Sequence, residues 1–122
     1  MTIMSNTEFE ELTKDQQYIL SVMYKKYLEC VKSGSVKLKC NNFNDAESLH
    51  KLYFSKFHFE DVENDLKKLK KQGFLHGVYA DNTIYHLTME DKTIVYFENK
   101  FKNNMKSLID NISKIASFIP GL

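Results

Sequence analysis

Carboxylates crowd one short stretch of this 122-residue chain: Glu60, Asp61, Glu63 and Asp65. Paired acids can act as general acid and base, but they need a histidine, a serine or a metal ligand within reach. None is spaced to serve. The four acids instead stand just ahead of Lys67, Lys68, Lys70 and Lys71. Acids first and lysines last suits the dipole of a helix, so a solvated, dipole-matched face is the expectation. His76 and His86 are the second candidate pair. Across a three-residue hairpin loop they would face each other at about 5 Å between Cβ atoms, close enough to share a metal or to titrate as a pH switch. A two-residue turn would part them, and no further ligand is evident, so no metal is expected. Cys30 and Cys40 form no C-x-x-C pair, which argues against a cysteine-built zinc site. With no secretion signal, both are expected as reduced thiols. There is no phosphate-cradling glycine loop, no G-x-S-x-G and no H-E-x-x-H. The expectation is a chain with no catalytic residue, no metal and no cofactor, and not an enzyme.

The bulk properties narrow the field further. The length suits one domain around one core. Hydrophobic residues make up 43% and charged residues 27%, a balance that excludes a disordered chain. No run of about 18 apolar residues exists, so neither a membrane span nor a membrane partner is expected. The opening MTIMSNTEFEEL lacks the basic start and apolar centre of a signal peptide. A cytoplasmic location is expected, with Met4 as an alternative start. The net charge of +1 is small for a binder of polyanions. All 17 cationic residues are lysines; the planar fork of arginine, the usual reader of guanine edges and narrow minor grooves, is missing. An AT-rich genome, which favours lysine and asparagine codons, is the preferred explanation.

The elements that would position these residues follow from periodicity and punctuation. Residues 1–12 read as a lead-in, with Phe9 and Leu12 tucked against the body. Thr13 to Gln16 spells a capping box, and Ile19, Leu20, Met23, Tyr24, Tyr27, Leu28 and Val31 then form one helical stripe as far as Lys32. Gly34 stops it. The alternation Val36 to Cys40 predicts a short strand. Asn44 to Glu47 reads as a second capping box, opening a helix to about Phe54 with Ala46, Leu49, Leu52 and Tyr53 inward and His50 outward. A third helix is predicted from about Phe59 to Gln72, with His58 as N-cap, a Phe57–Val62 staple and Val62, Leu66 and Leu69 inward. Phe74 to Val78 and Thr83 to Leu87 predict a hairpin around Ala80-Asp81-Asn82. A final helix of about 30 residues, capped by Thr88 to Asp91, would be some 45 Å long. That exceeds what so small a body covers. Its far half is therefore expected to pair with a second copy through Phe101, Met105, Leu108, Ile112, Ile115 and Ile119, in preference to folding back along the first helix.

This order of helix, strand, helix, helix, wing and long helix resembles bacterial winged-helix regulators of the MarR-like type. Leu66 to Thr88, LKKLKKQGFL…IYHLT, resembles their passage of leucine, glycine-aromatic-leucine, wing and leucine-threonine. The chain is also similar to small YjcQ-like proteins of bacteria and their phages, through Phe59-Glu60-Asp61, Leu66-Lys67, Gly73-Phe74-Leu75 and Gly77-Val78. The fold class expected is mainly α with a small β-sheet: a winged helix-turn-helix over residues 13–88, then a dimerising helix over residues 89–119. The resemblance implies a small DNA-binding transcription regulator, of a phage or other mobile element. Lys37, Lys51, Lys56, Lys67, Lys68 and Asn82 would meet double-stranded DNA at its backbone. Asn64, near the start of the third helix, would enter the groove. The alternative is an interaction module in which Glu60, Asp61, Glu63 and Asp65 dock on a basic, nucleic-acid-binding protein.

Overall fold

The computed structural model describes residues 6–122; Met4 and the first part of the lead-in lie outside them. A one-turn helix α1 (Asn6–Glu10) lays Phe9 into the core, with Leu12 buried behind it. The cap spelled at Thr13 is made: its hydroxyl accepts from the Gln16 N–H at 3.1 Å, and the Gln16 side-chain oxygen accepts from the Thr13 N–H at 3.3 Å. It starts α2 (Lys14–Lys32), whose stripe from Ile19 to Leu28 is buried as predicted. Val22, Gln16, Gln17 and Ser21 are buried as well, so α2 is the central helix, covered on several sides.

The strand expected over Val36–Cys40 is a turn of helix, α3 (Lys37–Cys40). Cys30 and Cys40 are not free thiols; a disulfide joins them with their Cα atoms 5.5 Å apart. The chain reverses at Gly34 (φ +101°), and the crosslink holds the next turn against the end of α2. The alternation that suggested a strand carried no burial signal, since Leu38 is 87% exposed.

Residues 41–44, without forming a strand, run beside residues 87–89. The Asn41 amide donates to the Met89 carbonyl at 3.0 Å and accepts from the Met89 N–H at 2.8 Å. The Phe43 N–H donates to the Leu87 carbonyl at 2.9 Å, and the Leu87 N–H donates to the Asn44 carbonyl at 2.8 Å.

Helix α4 (Ala46–Tyr53) is capped by Asp45 rather than Asn44, through a carboxylate that accepts from the Ser48 N–H at 2.8 Å. Ala46 and Leu49 point inward as expected. Leu52 is exposed and Tyr53 half-buried, and Phe54 fills the core position. The predicted third helix is α5 (Phe59–Lys71), with Val62, Leu66 and Leu69 buried. Gly73 (φ +85°) ends it, and Phe74 donates its N–H back to the Leu69 carbonyl at 2.9 Å.

Strands β1 (Leu75–Ala80) and β2 (Thr83–Met89) pair antiparallel, the one sheet among the described residues. The turn holds two residues, Asp81 and Asn82, both left-handed (φ 50° and 65°), as tight hairpins require. Ala80 pairs with Thr83, and the register places His76 opposite Thr88 rather than His86. Between those pairs Gly77 faces both His86 and Leu87, a bulge whose extra residue, His86, is left-handed (φ 55°).

The single long C-terminal helix is a helical hairpin. Helix α6 (Asp91–Phe101) starts at Glu90, because Thr88 and Met89 still belong to β2. Lys102 and Asn103 turn left-handed (φ 49° and 62°), and Asn104 caps α7 (Met105–Ala116) by accepting from the Ser107 N–H at 3.1 Å. Helix α7 then packs back along α2. Phe101, Leu108, Ile115 and Ile119 are buried within the chain, and Met105 and Ile112 are partly buried against the same core. Much of the apolar stripe that pointed to a second copy is thus buried within this chain, with α7 lying along α2.

Candidate nucleic-acid interface

Helix α5 divides its polar residues among three directions. Glu60, Asp61, Asn64, Lys68 and Lys71 are exposed and recur at helical spacing, so they form one outward stripe. Glu63 leans toward the hairpin: its carboxylate accepts from the Thr83 hydroxyl at 2.6 Å and lies 3.6 Å from the Lys67 ammonium. Asp65 leans toward α2 and accepts from the Gln16 side-chain amide at 3.2 Å. Partial burial lifts the Asp65 carboxyl above its usual range, against the lowering effect of the Gln16 bond. The four acids are therefore not one face; two look outward and two are engaged inside the domain.

The hairpin tip is tied to α5 by the same residues. The Lys67 ammonium donates to the Asn82 carbonyl at 3.1 Å, and the Tyr79 hydroxyl donates to the Lys67 carbonyl at 3.3 Å. The Lys70 ammonium sits 4.7 Å from the centre of the Tyr79 ring, a cation–π distance. Of the expected DNA contacts, Lys67 and Asn82 are brought together here. Lys67 is spent partly on Glu63, and Asn82 contributes its carbonyl to the latch. Lys68 and Asn64 share the outward stripe, which Lys71 extends. Lys51 is exposed on α4 and Lys56 in the turn before α5. Lys37 is exposed on α3, which packs on α2.

The α4–α5 turn is held by His50, which is not the outward side chain expected. Its Nε2 lies 2.8 Å from the Phe57 carbonyl, and its ring meets Phe59 edge-on at 5.6 Å. Phe54 and Phe57 close the turn from below against Tyr18. This aromatic floor fixes the angle at which α5 follows α4. The sequence signal for His50 was its place one helical turn before Phe54, on the flank of the inward stripe.

Other candidate chemistry does not assemble. His76 and His86 are both exposed beside an open hollow of about 550 Å³ that Glu90 and Asp91 also line. Among the described residues no group of three or more His, Cys, Asp or Glu is placed to hold a metal. Tyr24 and Tyr96 are pushed up to about 12, chiefly by burial and secondarily by Glu98 and Glu10 respectively. They belong to the aromatic core, where Tyr24 stacks on Phe97 and Tyr96 on Phe9. No described helix is long and apolar enough to cross a membrane. No family of known proteins, no curated protein and no solved structure matches this chain.

Proposed function

We propose that this chain is a small winged-helix protein that binds double-stranded DNA and acts as a transcription regulator, in the manner of the MarR-like regulators whose architecture it resembles. The observation that carries the reading is the outward stripe of α5. Asn64, Lys68 and Lys71 face solvent there, and only two of the four neighbouring acids do. Asparagine matches the donor and acceptor of an adenine edge in the major groove. Lys51 and Lys56 flank the same helix from α4 and the turn, where backbone contacts fall in helix-turn-helix proteins. The hydrogen bonds from residues 41–44 to β2 support a winged-helix layout, in which that segment stands in for the first strand. The alternative, docking on a basic protein, needed four outward carboxylates; Glu63 and Asp65 are occupied by Thr83, Lys67 and Gln16.

Fluorescence anisotropy with a short AT-rich duplex tests the reading. Four phosphate contacts, by Lys51, Lys56, Lys68 and Lys71, give a slope of log affinity against log salt of about −3.6. Binding should weaken roughly 150-fold between about 50 and 200 mM salt. Lys51→Glu with Lys56→Glu should abolish it at either salt. Absence of binding at the lower salt, or binding indifferent to these substitutions, refutes the proposal. Capture of a basic protein that Glu60→Lys with Asp61→Lys abolishes would favour the alternative.

A further inference from the structure

The Cys30–Cys40 disulfide lines a cavity of about 310 Å³ between α2, α3 and α4. Two cationic side chains, Lys26 and Lys39, line that cavity, and no carboxylate does. Lys26 lies 5.2 Å from the centre of the Tyr53 ring on the cavity wall and 3.5 Å from the carboxylate of Glu29, which stays outside the lining, so Lys39 is the cation there with no ion-pair partner among the described residues. Cys30 is partly buried and Cys40 is buried, so Cys30 is the more accessible of the pair. Thiol–disulfide exchange needs access, a thiolate and a stabilised leaving thiolate. The cavity supplies the access, and the two ammonium groups favour anions within it.

From this we infer that the Cys30–Cys40 disulfide is a redox-exchange site open in the folded protein to a small anionic thiol, which enters the cavity beside Lys26 and Lys39. One thiolate attacks the Cys30 sulfur, forming a mixed disulfide and releasing Cys40 as thiolate. A second thiolate attacks the sulfur of the bound small molecule and releases Cys30. Two small thiols are oxidised to their disulfide, and the two electrons reduce the protein bond to two thiols, with protons taken from solvent. The structural consequence is local. Helix α3 has four residues, of which Lys37, Leu38 and Lys39 are exposed and only Cys40 is buried. A single turn does not persist on its own, so opening the bond frees residues 34–40. Residues 41–44 keep their own bonds to Leu87 and Met89. The inference stands whether or not the chain binds DNA.

The experiment follows opening of the disulfide in the native, oxidised full chain by mass and thiol count, without denaturant. Reduced glutathione serves as the anionic thiol and cysteamine as the cationic one. Glutathione should open the bond at least about tenfold more slowly in the Lys26→Glu, Lys39→Glu double variant, while cysteamine should react at least as fast as with the unmodified chain. Hydrogen exchange on the reduced chain should show protection lost over 34–40 and kept over 41–44 and β2. Circular dichroism confirms that the surface variant folds. Three results would overturn the inference: free thiols in the chain equilibrated with oxidised glutathione, opening no faster than global unfolding, or rates indifferent to both the thiol's charge and the two lysines.

Discussion

Leu108→Ala distinguishes a helix folded back on its own chain from one extended toward a partner. Leu108 is fully buried, on the side of α7 that packs along α2. Truncating such a leucine loses its transfer energy and leaves a cavity, at a cost of about 3.5 kcal/mol within the usual range for the substitution. Domains of this kind carry roughly 5–15 kcal/mol in all. With an unfolding entropy of about 2.1 cal/mol/K per residue, that cost lowers Tm by roughly 14 °C. The neighbour Ile109, about 100° further round the helix, is 41% exposed, so Ile109→Ala should cost less than about 1 kcal/mol. Both variants and the parent would be melted by circular dichroism at two concentrations fifty-fold apart. The intrachain packing predicts a Tm independent of concentration and a large loss for Leu108→Ala only. A parent Tm that climbs by several degrees with concentration would refute it, because an interface between copies gains from mass action. So would a larger loss from Ile109→Ala than from Leu108→Ala.

Two further substitutions test the hairpin and α5. A Cβ on Gly77 would lie 2.9 Å from the Ile84 Cδ1 and Cγ1 atoms and 3.2 Å from the Tyr85 carbonyl oxygen, so Gly77→Ala should cost about 1–3 kcal/mol; an unchanged denaturant midpoint would contradict the bulge as described. Burial raises the Asp65 carboxyl above its unfolded value, so its contribution to stability is fully present below the unfolded pKa, near 4, and is lost as pH rises through the folded pKa. Asp65→Asn keeps an oxygen that can accept from Gln16, and should raise Tm at pH 7 while losing that advantage as pH falls below about 4. A variant less stable than the parent at pH 7 counts against this account.

The sequence exposed the helical skeleton well and its interruptions poorly. The α2 cap, the inward residues of α5, the Gly73 stop and the hairpin all rest on local chemistry, and local chemistry can be read from neighbours. Three features escape a reading by residue type and spacing. The turn at α3 depends on a crosslink across ten positions, and an alternation of apolar and charged residues cannot reveal which side is buried. The hairpin register depends on whether Asp81 and Asn82 alone make the turn, a difference of one residue that moves every side chain to a new partner. The break after Phe101 puts Lys102 in a left-handed conformation that lysine seldom adopts. Nothing in its type announces a helix end there, although Asn103 and Asn104 tolerate left-handed and capping positions. Without that break the apolar stripe from Ile94 to Ile119 reads as continuous. The excess length then has to find a partner outside the chain.

The same limit governs the charge on α5. Composition counts four acids in six positions and suggests a surface hostile to phosphate. A carboxylate that already accepts hydrogen bonds and faces an ammonium group projects little field beyond its partners. Glu63, between Thr83 and Lys67, is of that kind, and Asp65 is half-buried toward α2, where it accepts from Gln16. What approaches α5 from solvent meets Glu60 and Asp61 at the first turn, where the helix dipole offsets them. It then meets Asn64, Lys68 and Lys71 along the rest. The electrostatic objection to a polyanion is thus confined to one end of the helix. Substituting Glu60 and Asp61 with glutamine and asparagine should strengthen duplex binding, whereas Glu63→Ala, which removes the acceptor for Thr83 and the partner of Lys67, should loosen the hairpin.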